Sequence, residues 1–217
     1  AKKEYWNIVA HSIVTFIGQS SMQVVDLLFC RNLGSQASAT VGTASSLFAW
    51  FMIVGIGIFS SLEYFIPHAI GEKENTKAHS FFYSGIVAVF GISVLSGIGL
   101  FVLSSLTTPL GFNPQIADSV KQFGYITCFS YLPVFLVPVL RVELQSRGYP
   151  HDATLAFLFG NLLNVFLNWV LVLGNLGWPA LGVQGSAWAN MLSRYGILFF
   201  LMLRAYQVRS RLDISIK

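Results

Sequence analysis

The chain has 217 residues, of which 54% are hydrophobic and only 10% are charged, and its mean hydropathy is +0.65. Soluble domains carry about 25% charged residues, so this composition excludes an ordinary soluble domain and indicates a polytopic membrane protein. The net charge of +4 is explained by basic loops, so no nucleic-acid partner is expected. The only two cysteines, Cys30 and Cys128, form no spaced cluster, so neither a disulfide framework nor a zinc site is predicted.

Nearly the whole chain is made of apolar stretches, each long enough for the roughly 20 residues that a membrane-spanning helix needs. In chain order the six stretches are about Trp6–Phe29, Ala39–His68, Ser80–Leu106, Val120–Arg141, Ala153–Leu173 and Gln184–Leu203. Short segments containing Gly, Pro or charged residues separate them. We therefore predict an all-α polytopic membrane protein in which residues 1–217 form a single bundle of six transmembrane helices.

The basic residues predict how this bundle is oriented. Ten of them fall at the N-terminus, in the even-numbered loops or at the C-terminus: Lys2, Lys3, Lys73, Lys77, Arg141, Arg147, Arg204, Arg209, Arg211 and Lys217. Arg31 and Lys121 fall on the opposite side, and Arg194 falls within a span. Because cytoplasmic loops carry the excess of Lys and Arg, both termini are predicted to be cytoplasmic.

Helix one carries a stripe of polar side chains. Ser12, Thr15, Gln19, Gln23 and Asp26 follow one another at offsets of three and four residues, which places them on one helical face. An ionisable group inside a membrane is expensive and usually marks an ion or substrate path. The stripe favours a functional role for Asp26 in a water-filled cavity; a structural hydrogen bond and an interfacial position are the alternatives.

Two further features concern helices two and four. Glu63, near the cytoplasmic end of helix two, is better explained by a helix-end or interfacial position than by transport. Pro67 lies near the end of helix two, and Pro133 and Pro138 lie within helix four. We interpret these prolines as tolerated kinks whose freed carbonyls find other partners, in preference to hinges.

Helix five carries a second polar stripe, made of Asn161, Asn164 and Asn168. The upper two lie deep enough along the helix to approach Asp26. Asparagine amides supply both carbonyl acceptors and N–H donors, so they can orient a carboxylate or help to hold a cation. The alternative is hydrogen bonding between helices, which is worth less than about 2 kcal/mol per contact.

Helix six carries Gln184, Asn190 and Arg194, and its first residues are small, which allows close helix approach. Arg194 lies near mid-membrane, so it is expected to face the bundle and to pair with a carboxylate or with carbonyls. Its partner cannot be read from the sequence.

Catalytic and cofactor chemistry has little support. The histidines are scattered at predicted helix boundaries, so no metal site is expected. There is no GxxxxGK[ST] loop for ATP and no nucleophile elbow. The chain is therefore predicted to be neither an enzyme nor a cofactor-binding protein.

Four segments of the chain form a recognisable set: Gln19–Asp26 followed by Asn32-Leu33-Gly34, Leu62–Gly71, Asn164-Val-Phe-Leu-Asn168, and Gly177–Ala189 with its Gly-x-Pro-x-Leu-Gly-Val-x-Gly pattern. Together they resemble the N-terminal half of the multidrug and toxic compound extrusion (MATE) family. They occur in the family's order and at its spacing over the whole chain.

The resemblance implies a Na⁺- or H⁺-driven antiporter that exports small organic cations across the plasma membrane, in bacteria the inner membrane. Asp26 matches the helix-one carboxylate implicated in coupling, and Asn164 and Asn168 match the helix-five pair that lines the same cavity. Asn168 stands where some members have Asp, and Asn190 stands where Thr is often found. By this resemblance Asp26 would couple the cation or proton, with Na⁺ held by Asp26, Asn164 and Asn168. The cavity and substrate residues would be Gln19, Gln23, Asn161, Asn164, Asn168, Asn190 and Arg194.

Family members have two six-helix lobes, whereas this chain has the length of one lobe. The second lobe would come from a homodimer or from a longer polypeptide. Two other functions stay open at this point: a flippase for a lipid-linked precursor, and a membrane scaffold or accessory subunit without transport activity.

Overall fold

A computed structural model describes residue 18 and residues 21–215, with side chains as far as residue 208. Every regular element in these residues is helical, which confirms the all-α class. The helices are residues 21–31 (α1), Ser35–Phe59 (α2), Leu62–Gly71 (α3), Asn75–Ser105 (α4), Pro114–Thr127 (α5), Tyr131–Ser146 (α6), Pro150–Leu171 (α7) and Val183–Ser215 (α8). A 3₁₀ turn, Cys128–Ser130, joins α5 to α6.

Four helical stretches in the described residues are long and apolar enough to cross a membrane: Ser35–Gly71, Asn75–Ser105, Pro114–Ser146 and Pro150–Leu171. Most of the predicted first span, about Trp6–Phe29, lies outside the described residues. Helix α8 has the required length at 33 residues, but its polar residues, among them Asn190 and Arg194, make it less apolar than the other four. The six-span count and the cytoplasmic termini therefore stay predictions.

Helix α6 forms the centre of the bundle. It packs against α2, α3, α4, α7 and α8, and 11 of its 16 residues are buried. The surrounding helices instead expose large apolar side chains, such as Trp50, Val87 and Leu95, each more than two-thirds accessible. A surface of this kind is unfavourable in water but is well solvated by lipid tails, as expected for a membrane bundle.

The predicted second helix, Ala39–His68, lies within a single candidate span but is not one continuous helix. A turn at Ser60 and Ser61 separates α2 from α3, and Pro67 lies inside α3. The amide N–H groups of Glu63 and Tyr64 donate to carbonyls three residues back, at 3.2 and 3.1 Å, which tightens the chain there. The ring of Pro67 crowds the carbonyl of Glu63, four residues earlier, and so disturbs the first turn of α3. The break between α2 and α3 lies directly before this turn.

The predicted fourth helix, Val120–Arg141, is also interrupted, because the 3₁₀ turn separates α5 from α6. Pro133 has no N–H to donate to the carbonyl of Phe129, one turn earlier. The hydroxyl of Tyr195, on α8, donates to that carbonyl at 3.0 Å. A neighbouring helix thus satisfies the carbonyl that the proline leaves free, as the interpretation of a tolerated kink requires.

The start of α8 approaches α7 very closely, as its small residues predict. A Cβ atom at Gly185 would lie 2.5 Å from the carbonyl oxygen of Leu171 and 2.9 Å from the nitrogen of Val172. Because both neighbours are backbone atoms, they cannot move aside as a flexible side chain would. Only glycine fits at this position without displacing one helix.

We predict that Gly185→Ala lowers the free energy of unfolding by about 2 kcal/mol, because the added methyl group forces α7 and α8 apart. Thermal unfolding in detergent, followed by circular dichroism, measures the change. Gly91→Ala in α4 is the matched control, since a methyl group added there would meet nothing within 4 Å and alanine favours helix. Equal stability of the two variants would contradict the close approach.

We also predict that Tyr195→Phe destabilises the protein by about 1 kcal/mol, because it leaves the Phe129 carbonyl without a donor in an apolar setting. In a Pro133→Ala background the alanine N–H can bond that carbonyl, so the same substitution should cost much less. Unfolding measurements on the four proteins of this cycle test the prediction. The same cost in both backgrounds would show that Tyr195 does not compensate for the proline.

Candidate functional site

The buried face of α1 is formed by Met22, Asp26 and Cys30, which follow one another at a spacing of four residues. Asp26 is only 3% exposed. Gln23, predicted to share a face with Asp26, is exposed instead. Gln19, Ser12 and Thr15 lie outside the described residues. In the described part of α1, therefore, the carboxylate projects into the bundle from an apolar face, without the polar stripe beside it.

Asparagines of α7 and α8 surround the Asp26 carboxylate. The Nδ2 groups of Asn164 and Asn168 donate to Asp26 Oδ1 at 3.2 and 2.9 Å. The Nδ2 group of Asn190, on α8, donates to Asp26 Oδ2. A carboxylate in a low-dielectric interior needs such donors, and the three amides supply them without adding a charge. We call Asp26, Asn164, Asn168 and Asn190 the carboxylate–amide cluster.

The amide oxygens of Asn164 and Asn168 have a different environment from their nitrogens. Both asparagines are fully buried, and neither Oδ1 atom accepts a hydrogen bond. The Nδ2 group of Asn168 also donates to the backbone carbonyl of Asn164 at 2.9 Å. Unsatisfied oxygens beside a carboxylate are costly in a buried setting, and they are also the kind of ligand that hard cations prefer.

Arg194 extends the cluster along α8. Its Nε donates to Asn190 Oδ1 at 2.5 Å, from one helical turn away. The guanidinium lies over the ring of Phe48, on α2, at 4.9 Å from the ring centroid. Arg194 therefore faces the bundle as predicted, and its partners are an amide carbonyl and an aromatic face.

Asn161 lies outside the carboxylate–amide cluster and joins α7 to α1 at another level. Its Nδ2 group donates to the carbonyl of Gly18 at 2.8 Å, and its Oδ1 accepts from the hydroxyl of Ser21 at 2.5 Å. The sequence did not single out Ser21, because it falls off the predicted polar stripe. Contacts of this type match the interpretation of interhelical hydrogen bonding for Asn161.

Glu63 takes no part in the cluster. It lies in the first turn of α3 and pairs with Arg141 of α6, with its side chain half exposed. A carboxylate in the first helical turn is favourable for the helix dipole, so Glu63 lies at a helix end, but at the N-terminal end of α3 and not near the end of one continuous helix two. No group of three or more His, Cys, Asp or Glu side chains that could hold a metal ion occurs in the described part of the chain.

We predict that Asn168→Leu lowers the free energy of unfolding by about 2 kcal/mol, because the buried Asp26 carboxylate loses a donor. Thermal unfolding of the purified protein measures it. Asn175, which is partly exposed and donates to the carbonyl of Trp169, provides the control substitution Asn175→Leu. In an Asp26→Leu background the cost of Asn168→Leu should shrink, and an undiminished cost would contradict the proposed coupling of the two side chains.

Curated proteins similar to this chain are multidrug resistance proteins. The probable multidrug resistance protein NorM of Listeria monocytogenes serovar 1/2a is 25% identical over 211 residues, which cover 97% of this chain and 46% of the relative. The multidrug resistance protein NorM of Vibrio vulnificus is 29% identical over 208 residues, covering 93% and 45%. The chain thus spans less than half the length of the curated relatives it matches.

Solved structures of MATE transporters share the fold. The crystal structure of MATE in the bent conformation superposes with a TM-score of 0.78 at 22% identity, over 89% of this chain and 43% of that one. The inward-facing conformation of a multidrug resistance MATE family transporter of the MOP superfamily gives 0.73 at 19% identity, over 90% and 44%. At this identity the likeness establishes the fold alone.

The MatE family model matches residues 12–170, which is most of the chain and includes α1, α7 up to Val170, and everything between them. The carboxylate of α1 and the two buried asparagines of α7 lie within the matched range. Three of the four motifs quoted above also lie within it, and the chain belongs to the MatE family, the multidrug and toxic compound extrusion transporters.

Proposed function

We propose that the chain is one six-helix lobe of a cation-coupled efflux antiporter that exports small organic cations. One observation carries the proposal: a buried carboxylate, Asp26, held by amide donors from two other helices. The multidrug resistance names of its relatives support the substrate class. Transporters, unlike enzymes, need no reactive group beyond those that bind and release the ion and the substrate, so no catalytic residue or cofactor is assigned.

The carboxylate–amide cluster has the chemistry to take up a coupling ion. A rotation of about 180° around χ2 of an asparagine exchanges its NH₂ for its carbonyl oxygen, since the two ends of the amide have nearly the same shape. Turned in this way, Asn164 and Asn168 would present oxygens beside Asp26 Oδ1, which is a ligand set suited to Na⁺. The same rotation would let one amide oxygen accept a hydrogen bond from the O–H of a protonated Asp26 carboxyl group.

Competition for one negative charge then couples ion entry to drug release. An organic cation in the cavity and the coupling ion, whether Na⁺ or H⁺, would both bind to the same negative charge, so binding of one disfavours binding of the other. Rocking of the lobe against a second lobe would expose the cavity alternately to the two sides of the membrane. The second lobe would come from a homodimer or from a longer chain. The basic loops predict cytoplasmic termini, and the family resemblance implies the bacterial inner membrane.

A lipid-linked precursor is a weaker candidate substrate. The phosphate groups of such a molecule call for several arginines in the cavity. Arg194 is the one arginine in contact with the carboxylate–amide cluster among the described residues. The relatives' names also point to drugs, so the flippase and scaffold interpretations are not favoured.

We predict that Asp26→Asn abolishes ion-driven efflux of a cationic dye, because the cluster loses the charge for which ion and drug compete. Proteoliposomes with an imposed Na⁺ or H⁺ gradient provide the measurement, with dye fluorescence as the readout. Asp118→Asn is the matched control, since Asp118 is exposed on α5 and should leave efflux unchanged. If Asp26→Asn exported the dye as fast as Asp118→Asn does, the proposal would be contradicted.

A further inference from the structure

The three amides that donate to Asp26 are not equivalent. Asn190 is bonded at both ends, because its Nδ2 donates to Asp26 Oδ2 while its Oδ1 accepts from Arg194 Nε at 2.5 Å. Asn164 and Asn168 are bonded only through nitrogen, and their Oδ1 atoms accept no hydrogen bond. Only these two amides are free to turn without breaking a bond to their oxygen.

Turning Asn190 would create two unfavourable contacts at once. Its oxygen would face the oxygen of Asp26, and its NH₂ would face the N–H of Arg194. A guanidinium is always charged and carries donors alone, so it cannot adapt by becoming an acceptor. As long as Arg194 stays in place, Asn190 must present nitrogen to the carboxylate.

Arg194 is itself held in place by α2 and α6. Its guanidinium lies over the ring of Phe48, which is buried and stacked on Tyr131 at 4.6 Å between centroids. The hydroxyl of Tyr131 donates to the backbone carbonyl of Phe48 at 3.0 Å. The surface under the guanidinium is thus fixed by the central helix, and Arg194 and Asn190 are one turn apart on α8.

We propose that Arg194 is a positioning residue that fixes Asn190 as a permanent donor to Asp26 Oδ2, so that the coupling ion is taken up only on the Oδ1 side, by Asn164 and Asn168. This inference rests on the proposed function and specifies its site. The two oxygens of Asp26 then have different roles. Oδ2 keeps its hydrogen bond from Asn190 throughout the cycle, whereas Oδ1 exchanges its amide donors for the ion.

The number of hydrogen bonds made by each Nδ2 group predicts which of the two amides, Asn164 or Asn168, turns more easily. Asn164 Nδ2 makes one bond, at 3.2 Å, to Asp26. Asn168 Nδ2 makes two, at 2.9 Å each, to Asp26 and to the Asn164 backbone carbonyl. Turning Asn164 therefore costs fewer hydrogen bonds, and we expect it to respond first when an ion arrives.

Side-chain amide NMR on the protein in lipid nanodiscs tests the proposal directly. Asparagine is supplied labelled at its side-chain nitrogen, and the signals of Asn164 and Asn190 are assigned by their loss in Asn164→Leu and Asn190→Leu. On addition of NaCl, or on acidification without Na⁺, we expect the Asn164 signals to shift and the Asn190 signals to stay. In Arg194→Met the Asn190 signals should shift as well.

Two results would overturn the assignment: Asn190 signals that shift in the unsubstituted protein as much as those of Asn164, and Asn190 signals that stay unresponsive in Arg194→Met. The first result is readable even if Arg194→Met does not fold. If no asparagine of the unsubstituted protein responds to either ion, yet the Asn190 signals respond in Arg194→Met, ion uptake by Asn164 and Asn168 is refuted while the restraint of Asn190 by Arg194 stands.

A double-mutant cycle separates this role from a direct effect of the Arg194 charge on the ion. Equilibrium binding of radioactive sodium is measured for Arg194→Met, with and without Asn190→Leu. If Arg194 acts through Asn190, Arg194→Met should tighten Na⁺ binding by about tenfold when Asn190 is present and by less than about threefold when it is not. An equal gain in both backgrounds would show that the guanidinium acts through space, and would contradict the proposal.

Discussion

A buried carboxylate in a membrane protein must find its hydrogen-bond donors inside the protein, and this requirement organises the described structure around Asp26. Lipid offers no donors, and leaving the charge unpaired would cost several kcal/mol. The donors come from α7 and α8, so the Asp26 carboxylate on α1 has its hydrogen bonds only when all three helices are packed together. The same contacts that stabilise the bundle therefore form the candidate ion site, which is why changes at the site are expected to alter stability as well as transport.

The central helix supports the site through α8. Adjacent residues of α8 point to different partners: Arg194 lies over Phe48 beside the cluster, while Tyr195 donates to the carbonyl that Pro133 leaves free. The kink between α5 and α6 and the carboxylate–amide cluster are thus joined at one turn of one helix. A shift of α8 along its axis would disturb both, so the two features constrain each other.

The sequence predicted the cluster better than it predicted the continuity of the helices around it. A lone Asp and an Asn stripe stand out in apolar surroundings because each polar side chain there needs a partner. Offsets of three and four residues, however, are equally compatible with one face, so they could not show that Asp26 shares its face with Met22 and Cys30 while Gln23 is exposed. The breaks in helices two and four depend on how neighbouring helices satisfy freed carbonyls. The aromatic partner of Arg194 lies far away in the sequence, and no local pattern indicates it.

A single Asp with a single Arg nearby also bears on how an antiporter could release its ion. The charge of Arg194, which is bonded to the carboxylate–amide cluster through Asn190, cancels that of Asp26, and Asn168 adds none. A buried carboxylate without a nearby positive charge would depend on a bound cation or proton for its stability and would release it reluctantly. In the proposed cycle, the guanidinium one amide away would give the carboxylate a favourable environment after the ion leaves. An exchange cycle requires that the site be stable both with and without the ion, because the same site must bind the ion in one half of the cycle and release it when the drug binds in the other.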